Sequence, residues 1–261
     1  MPPNPTRRKL LEELMPEGIL VTRKWLKQET ALNDYAIDNL VKSEQLKVLW
    51  KGLYTRGIIQ PNWQSIIYTL QQIVETDFII GGLSALELKG FSHYLPNSTS
   101  AREHLYGNDK LPAWTKQILK NDLFIKHTRV SLFAEMDKSL SEKYTTRIPW
   151  KEGMEALIIS TPERACLEML DQVPDSISFE HADQLIQGMT TLSPKAVQQL
   201  LEMCTNVKVK RLFLWFAKRH NYLWFTKLNL EKVDLGSGKR VIEKGGELDK
   251  DYWITVPKNF E

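Results

Sequence analysis

Cysteine is nearly missing from this chain: Cys166 and Cys204 stand alone among 261 residues. Two thiols are too few for a disulfide framework and lack the paired spacing of a zinc site, so buried free thiols are expected. No run approaches the roughly 20 apolar residues that a membrane-spanning helix needs, and the start, MPPNPTRRKLLEELMPEG, has no secretory apolar core. The expectation is a cytoplasmic protein without a membrane partner. Charge of one sign is also scarce. Thirty-five Lys and Arg meet 32 Asp and Glu, a formal net charge of +3, too mild a balance to establish a nucleic-acid partner by itself. Strict repeats and low-complexity tracts are absent.

Signatures of chemistry are equally thin. His93, His104, His127, His181 and His220 show no metal-binding spacing with the cysteines or with one another, and no GxSxG elbow accompanies them. The stretch LGSGKR suggests a phosphate-binding turn, because glycine amides and a lysine can cradle a phosphate. It departs from GxxxxGK[ST], however: no glycine stands five residues before Gly238, positions 234 and 235 being Asp and Leu, and Arg240, not a hydroxyl, follows Lys239. Glu163, Glu168 and Asp171 fall near one another on a helix, but Arg164 lies among them, and capping and solvation explain them without acid chemistry. No catalytic residue, metal or cofactor is expected.

What is present is ordinary globular material, 42% hydrophobic and 26% charged, in a chain long enough for two domains, each with its own core. Charge distribution says more than charge total. Residues 1–60 hold ten Lys/Arg against seven Asp/Glu, while the remaining residues hold 25 of each. Further on, Thr161–Thr190 carries one base against six acids and Glu202–Arg240 nine bases against three acids. Those two segments either present one basic surface to phosphates or pair with each other.

Periodicity places a helix at Thr6–Met15, with Leu10, Leu11 and Leu14 apolar, stopped by Pro16 and Gly18. After the apolar step Ile19–Val21, Thr22 can cap a second helix, Arg23–Glu29, with Trp25 and Leu26 inward. Asn33 can cap a third, running to Ser43, with Ala36, Ile37, Leu40 and Val41 on one face. LKVLW and GLYTRGII then read as a hairpin turning at Lys51 and Gly52. Helix, helix, helix, hairpin is the order of a winged helix-turn-helix, although an unrelated mini-domain can be built from the same parts. In the winged fold the third helix enters the major groove and the hairpin lies along the backbone. Tyr35, Asp38, Asn39 and Lys42 are then the candidates for reading bases: Asn39 can pair bidentately with adenine, and Asp38 can accept from cytosine. Arg7, Arg8, Arg23, Lys24, Lys27, Lys51 and Arg56 are the candidates for phosphate contact.

Beyond Pro61 the pattern predicts a helix over Trp63–Val74, a short strand in DFII, a Gly81/Gly82 turn, and a small helix capped by Ser84. An exposed loop is expected over Leu95–Asn108, then a helix over Trp114–Lys120, strand-like residues over Leu123–Phe133 and a hairpin-like pair in IPWKEGMEALIIS. STPERACLEML reads as a helix with Thr161 as N-cap and Pro162 in its first turn. Helices over Phe179–Met189, Ser193–Glu202 and Val207–Arg219 follow, the last placing basic residues above Leu212, Leu214, Trp215 and Phe216. Gly-rich turns between short strands complete the chain. The fold class expected is α+β, mainly helical. An amino-terminal winged helix-turn-helix with connecting helices (1–95) precedes a larger mixed α/β domain (96–261).

Five segments, GLYTRG, LSALELKGFSHYLP, STPERACLEML, VKVKRLFLWFA and DLGSGKRVIEKGGELDKDYWITVP, taken in this order, give the chain a pattern that resembles the AbiEi antitoxins of type IV toxin-antitoxin systems. The resemblance covers nearly the whole sequence. It implies a bacterial protein that binds double-stranded DNA, represses its own operon at inverted repeats and neutralises an AbiEii toxin of nucleotidyltransferase fold, with direct contact to that toxin left open. It also implies that Asn33–Ser43 is the recognition helix and Trp50–Gly52 the wing tip. A carboxy-terminal basic face would comprise Lys208, Lys210, Arg211, Lys218, Arg219, Lys239 and Arg240. The alternative is a protein-interaction regulator whose winged helix binds a partner and not a DNA sequence.

Overall fold

Side-chain caps and one glycine turn organise the first part of the chain. The computed structural model describes residues 5–58, 60–91, 102–119, 123–128, 131–134, 136–258 and 260. Contacts divide the chain into two units, each discontinuous in sequence: 1–78, 109–125 and 147–157 in the first, and 79–108, 126–146 and 158–261 in the second.

In the first unit, helix α1 (Pro5–Leu14) leads into strand β1 (Leu20–Thr22), where the sequence had suggested only an apolar step. Thr22 closes the strand and its hydroxyl accepts from the Trp25 amide at 3.1 Å, capping α2 (Arg23–Thr30). Asn33 does the same for α3 (Asp34–Lys42), accepting from the Ala36 amide at 2.9 Å. Strands β2 (Lys47–Trp50) and β3 (Leu53–Thr55) form the hairpin, with Gly52 at φ +77°, a conformation that a glycine adopts without strain. Sheet order is β1-β3-β2 and all pairing is antiparallel, Tyr54 lying opposite both Val21 and Val48. The central strand is therefore buried throughout while β2, at the edge, stays largely exposed. Leu11, Met15, Leu20, Leu26, Ile37, Leu46 and Leu53 form the core behind it.

The helix expected over Trp63–Val74 is interrupted. Helix α4 (Trp63–Tyr68) starts with a capping box between Asn62 and Ser65, then widens into a π-turn at Thr69–Ile73. Thr69 gives the physical reason: its buried hydroxyl contacts the Ser65 carbonyl at 2.8 Å and the Leu20 carbonyl at 2.9 Å, competing with the helical ladder. Helix α6, which begins at Trp114 and ends at Leu119, belongs to the same unit and packs against β2; Lys120 lies outside the described residues.

The second unit centres on a five-stranded sheet. Strand β4 (Ile79–Ile80) pairs antiparallel with β5 (Glu103–Tyr106) and parallel with β8 (Leu157–Ser160). With β6 (Phe124–His127) and β7 (Thr145–Ile148) at the edges, the order is β6-β5-β4-β8-β7. β5 corrects the exposed loop expected over Leu95–Asn108: His104, Leu105 and Tyr106 are buried, and 95–101 lie outside the described residues. Helix α5 (Gly82–Leu88) follows β4, and its cap position is Gly81, not Ser84. Ser84 sits inside the helix, buried, and accepts from the His104 amide at 2.9 Å. Helix α7 (Lys138–Lys143) precedes β7. Helix α8 (Pro162–Leu170) begins after Thr161 as expected, but the Thr161 hydroxyl makes no capping bond and is buried without a partner among the described residues. Then come α9 (Phe179–Gln187), α10 (Pro194–Met203), α11 (Val207–Arg219) and the antiparallel pair β9 (Glu247–Asp249) and β10 (Ile254–Val256). The class is α+β. Among the described residues no helix is long and apolar enough to cross a membrane.

Where α5 packs on α8, a charged pair is fully enclosed. Arg164 Nε donates to Glu168 Oε1 at 2.7 Å, with the two side chains 0% and 1% exposed. Glu168 Oε2 accepts from the Gly82 amide at 2.9 Å and from the Ser160 hydroxyl at 2.8 Å. A carboxylate from α8 thus takes the place of a cap at the α5 N-terminus, where the helix dipole favours negative charge. The solvated acid expected at Glu168 is instead the centre of a buried network.

Beside it, His104 Nδ1 lies 2.9 Å from His127 Nε2, and the rings are stacked. Burial, with the neighbouring His127, pushes His104 down to about 4, and burial lowers His127 too. The unfolded chain therefore binds more protons than the folded one below pH 6.5, and stability falls as pH drops from 6.5 toward 4. Between pH 7 and pH 5 the contribution of His104 is expected to fall by about 2 kcal/mol. The check is the urea-denaturation difference between wild type and His104→Asn at the two pH values; an unchanged difference contradicts it.

Candidate nucleic-acid interface

The outward face of α3 is set by its inward one. Ile37 and Leu40 are buried against the core, so the helical period turns Tyr35, Asp38, Asn39 and Lys42 outward, all exposed, with Tyr35 at 74%. Next to them the edge strand β2 exposes Lys47, Val48 and Trp50, and the turn exposes Lys51. Lys47 and Val48 had not been singled out from the sequence. The signal that marks them is their place on β2, the edge strand of the sheet, which leaves both exposed.

Acidic residues on this helix would repel phosphates, and the structure neutralises them locally. Arg23 bonds Asp34 at 3.0 Å and also pairs with Asp38, while Lys27 bonds Asp34 at 2.9 Å. The Arg23 Nε donates to the Tyr54 hydroxyl at 2.8 Å, joining α2 and α3 to the sheet. Hydrogen bonds to Asp38 first, then to Tyr54 and Asp34, hold the Arg23 guanidinium above its ordinary range. Lys27, then Arg23, hold Asp34 below the usual carboxylate range. Arg23 and Lys27 are consequently engaged by carboxylates. Arg56 is turned inward: its Nε donates to the Met15 carbonyl at 2.9 Å, and it lies 4.0 Å from Glu12. Lys24, Lys42, Lys47 and Lys51 are exposed and pair with no carboxylate among the described residues. Arg7 and Arg8 belong to α1, but their side chains lie outside the described residues.

The seven cations expected on one carboxy-terminal face do not gather there. Helix α11 is the buried axis of its unit, so its successive positions point into protein on most sides. Lys210 and Arg211 are each 3% exposed. The Lys208 ammonium donates to the Asp171 and Val173 carbonyls at 2.7 and 2.8 Å, and burial lowers its pKa. Lys218 pairs with Asp251, and Arg219 lies 3.4 Å from Asp183. Asp183 also bonds His220 at 2.7 Å. The acidic and basic runs of the sequence thus partly pair with each other, and Lys239 and Arg240 remain exposed.

Among the described residues no three His, Cys, Asp or Glu converge on a metal-sized site. Cys166 and Cys204 are buried free thiols, their pKa pushed up by burial.

Comparison with known proteins then supplies a family. Residues 4–97 match a model described as the amino-terminal domain of a transcriptional regulator, AbiEi antitoxin, and residues 100–257 match one described as a transcriptional regulator, AbiEi antitoxin, of a type IV toxin-antitoxin system. Among solved structures, the chain is similar to the RV2827C protein from Mycobacterium tuberculosis, with 14% identity and a TM-score of 0.58 over 96% of this chain and 91% of that one. That likeness concerns the fold alone. No curated protein matches the chain.

Proposed function

Because the chain belongs to the AbiEi antitoxin family of transcriptional regulators of type IV toxin-antitoxin systems, we propose that it represses its own operon from DNA and neutralises an AbiEii toxin of nucleotidyltransferase type. Its place of action is the bacterial cytoplasm. The observation that carries the DNA half is topological: α1, β1, α2 and α3 precede a hairpin whose β3 lies between β1 and β2. This order supports a winged helix-turn-helix within residues 1–95, with α3 in the major groove and β2 and its turn along the backbone. Tyr35, Asn39 and Lys42 read base edges, with Asp38 held beside them by Arg23. Lys24, Lys47 and Lys51 meet phosphates. Residues 96–261 supply the antitoxin domain.

Electrostatics sharpen the expectation for each cation. Each phosphate contact contributes about 0.9 to the slope of log affinity against log salt. Replacing both Lys24 and Lys51 by Gln is expected to reduce that slope by about 2, equally on operator and random duplex. Replacing Lys27, already bound to Asp34, is expected to change it little. A slope unaltered in the double variant removes these lysines from the interface. For the antitoxin half, co-expression of the whole chain with the toxin encoded beside it is expected to restore growth; continued arrest contradicts that half alone.

A second reading has its own observation. Tyr35, Val48 and Trp50 expose apolar surface on the same unit, where two of the expected phosphate-binding cations are engaged by acids. Such a face suits a protein partner, and absence of any affinity for DNA at low salt favours it.

A further inference from the structure

The stretch LGSGKR, set aside above as a nucleotide loop, is built in a way that its sequence does not disclose. Residues 234–241 form an exposed loop between α11 and β9, and the buried Arg211 guanidinium holds it from beneath. Arg211 donates to the carbonyls of Leu235 at 2.8 Å, Gly236 at 3.2 Å, Gly238 at 2.7 Å and Trp253 at 3.2 Å. With its carbonyls drawn inward, the loop leaves the backbone amides of Ser237, Gly238 and Lys239 without a hydrogen-bond partner among the described residues. Gly236 and Gly238 have φ of +59° and +73°, the left-handed conformations from which anion-binding concavities of successive amides are made. Asp234 is occupied by the Gly236 amide at 2.8 Å.

Cations outnumber acids in this loop, where Lys239 and Arg240 stand against Asp234. Among the described residues Arg211 has only carbonyls for partners, and burial, followed by the nearby Arg240 charge, lowers its pKa. Among the described residues the Arg240 guanidinium reaches only the Lys239 carbonyl, at 3.5 Å, and Lys239 is exposed. Three cations and three free amides, none with a carboxylate partner among the described residues, make a site that gains from an anion.

The backbone of an exposed tryptophan runs beside the loop. The Arg240 amide donates to the Trp253 carbonyl at 2.8 Å, and the Thr255 amide donates to the Arg240 carbonyl at 3.0 Å, so the two backbones run side by side. Trp253 is 54% exposed between buried Tyr252 and Ile254, and its φ is +53°, a costly conformation for a bulky residue. Val241, 64% exposed, ends the loop. Packing does not require an exposed tryptophan in a strained backbone.

We propose that the loop Ser237–Arg240 and Trp253 form a site for an unpaired phosphorylated nucleotide, the phosphate taken by the free amides, Lys239 and Arg240, and the base stacked on the Trp253 ring. Phosphate at a ring of amides and base on an aromatic face is the chemistry by which single strands are held, whereas a paired base has no free face to offer. This site goes beyond the reading of α3 and does not depend on it.

The test uses the whole chain and a fluorescent single-stranded oligonucleotide in polarisation titrations, with a matched duplex, a nucleoside monophosphate and inorganic phosphate as competitors. Lys239→Ala with Arg240→Ala is expected to weaken single-strand binding at least tenfold. Trp253→Gly, which suits the positive φ, is expected to weaken it about tenfold. Asn39→Ala with Tyr35→Ala is expected to leave it unchanged, so failure here is distinguishable from failure of the repressor reading. Competition by the monophosphate comparable with the oligonucleotide identifies a free nucleotide as a source; competition by the oligonucleotide alone identifies a strand. Equal competition by inorganic phosphate, preference for duplex, or full affinity in the Trp253→Gly variant with an unaltered circular dichroism spectrum overturns the proposal.

Discussion

Replacing Glu168 by alanine is expected to lower the stability of the chain by about 3–5 kcal/mol, the scale for breaking a buried ion pair by removing one partner. Arg164 would stay enclosed at 0% exposure with its charge uncompensated, and its Nη2 already has no partner among the described residues. The loss extends past the pair, because the Gly82 amide and the Ser160 hydroxyl both donate to the same carboxylate. Glu168→Gln keeps the shape and an acceptor but removes the charge, and an intermediate loss is expected. Gly81→Ala attacks the network sterically: its Cβ would come within 2.4 Å of Glu168 Oε2 and of Tyr106 Cδ2. Urea denaturation followed by circular dichroism measures all three. A Glu168→Ala midpoint within experimental scatter of wild type contradicts the role given to the network.

Replacing Asn39 and Tyr35 together by alanine is expected to cut the preference for operator over random duplex by about a hundredfold while random-duplex affinity holds. A good bidentate side-chain–base pair is worth about 1–3 kcal/mol of discrimination, and Tyr35 adds contact with a base edge or sugar. Both side chains are exposed on a helix whose fold is maintained by Ile37 and Leu40 from inside and by the Asn33 cap at its start, so the double variant keeps its stability. The contrast with Lys24 and Lys51 is the informative part, since phosphate contacts weaken all sequences alike. Equal losses on operator and random DNA would move base reading away from α3.

Much of this was legible in the sequence because it depends on local rules. Thr22 and Asn33 announce the starts of α2 and α3 through a hydroxyl and an amide that accept from amides three residues on. The period of apolar residues from Val207 to Arg219 delimits α11 as it is found. What stayed hidden depends on partners distant in the chain. β5 reads as loop because Glu103 and His104 look polar, yet His104 is satisfied by Ser84 and His127, 20 and 23 residues away. Ser84 resembles a cap, but the cap of α5 is a carboxylate 86 residues on.

The candidate site was legible in outline and not in its electrostatics. The outward face of α3 follows from its period, whereas the capture of Arg23 and Lys27 by Asp34 and Asp38 needs the packing of two helices. Lys210 and Arg211 read as surface because long charged side chains usually are; a helix surrounded on most sides encloses them, and Arg211 finds backbone carbonyls 24 to 42 residues later.

The most direct measurement is a competition titration of the whole chain on its own promoter DNA at about 150 mM salt, against random duplex of equal length. A sequence-specific regulator is expected to prefer the promoter by about a thousandfold or more, with protection confined to the upstream repeats. Equal affinity for promoter and random duplex would contradict the assignment of α3 as the reader of an operator.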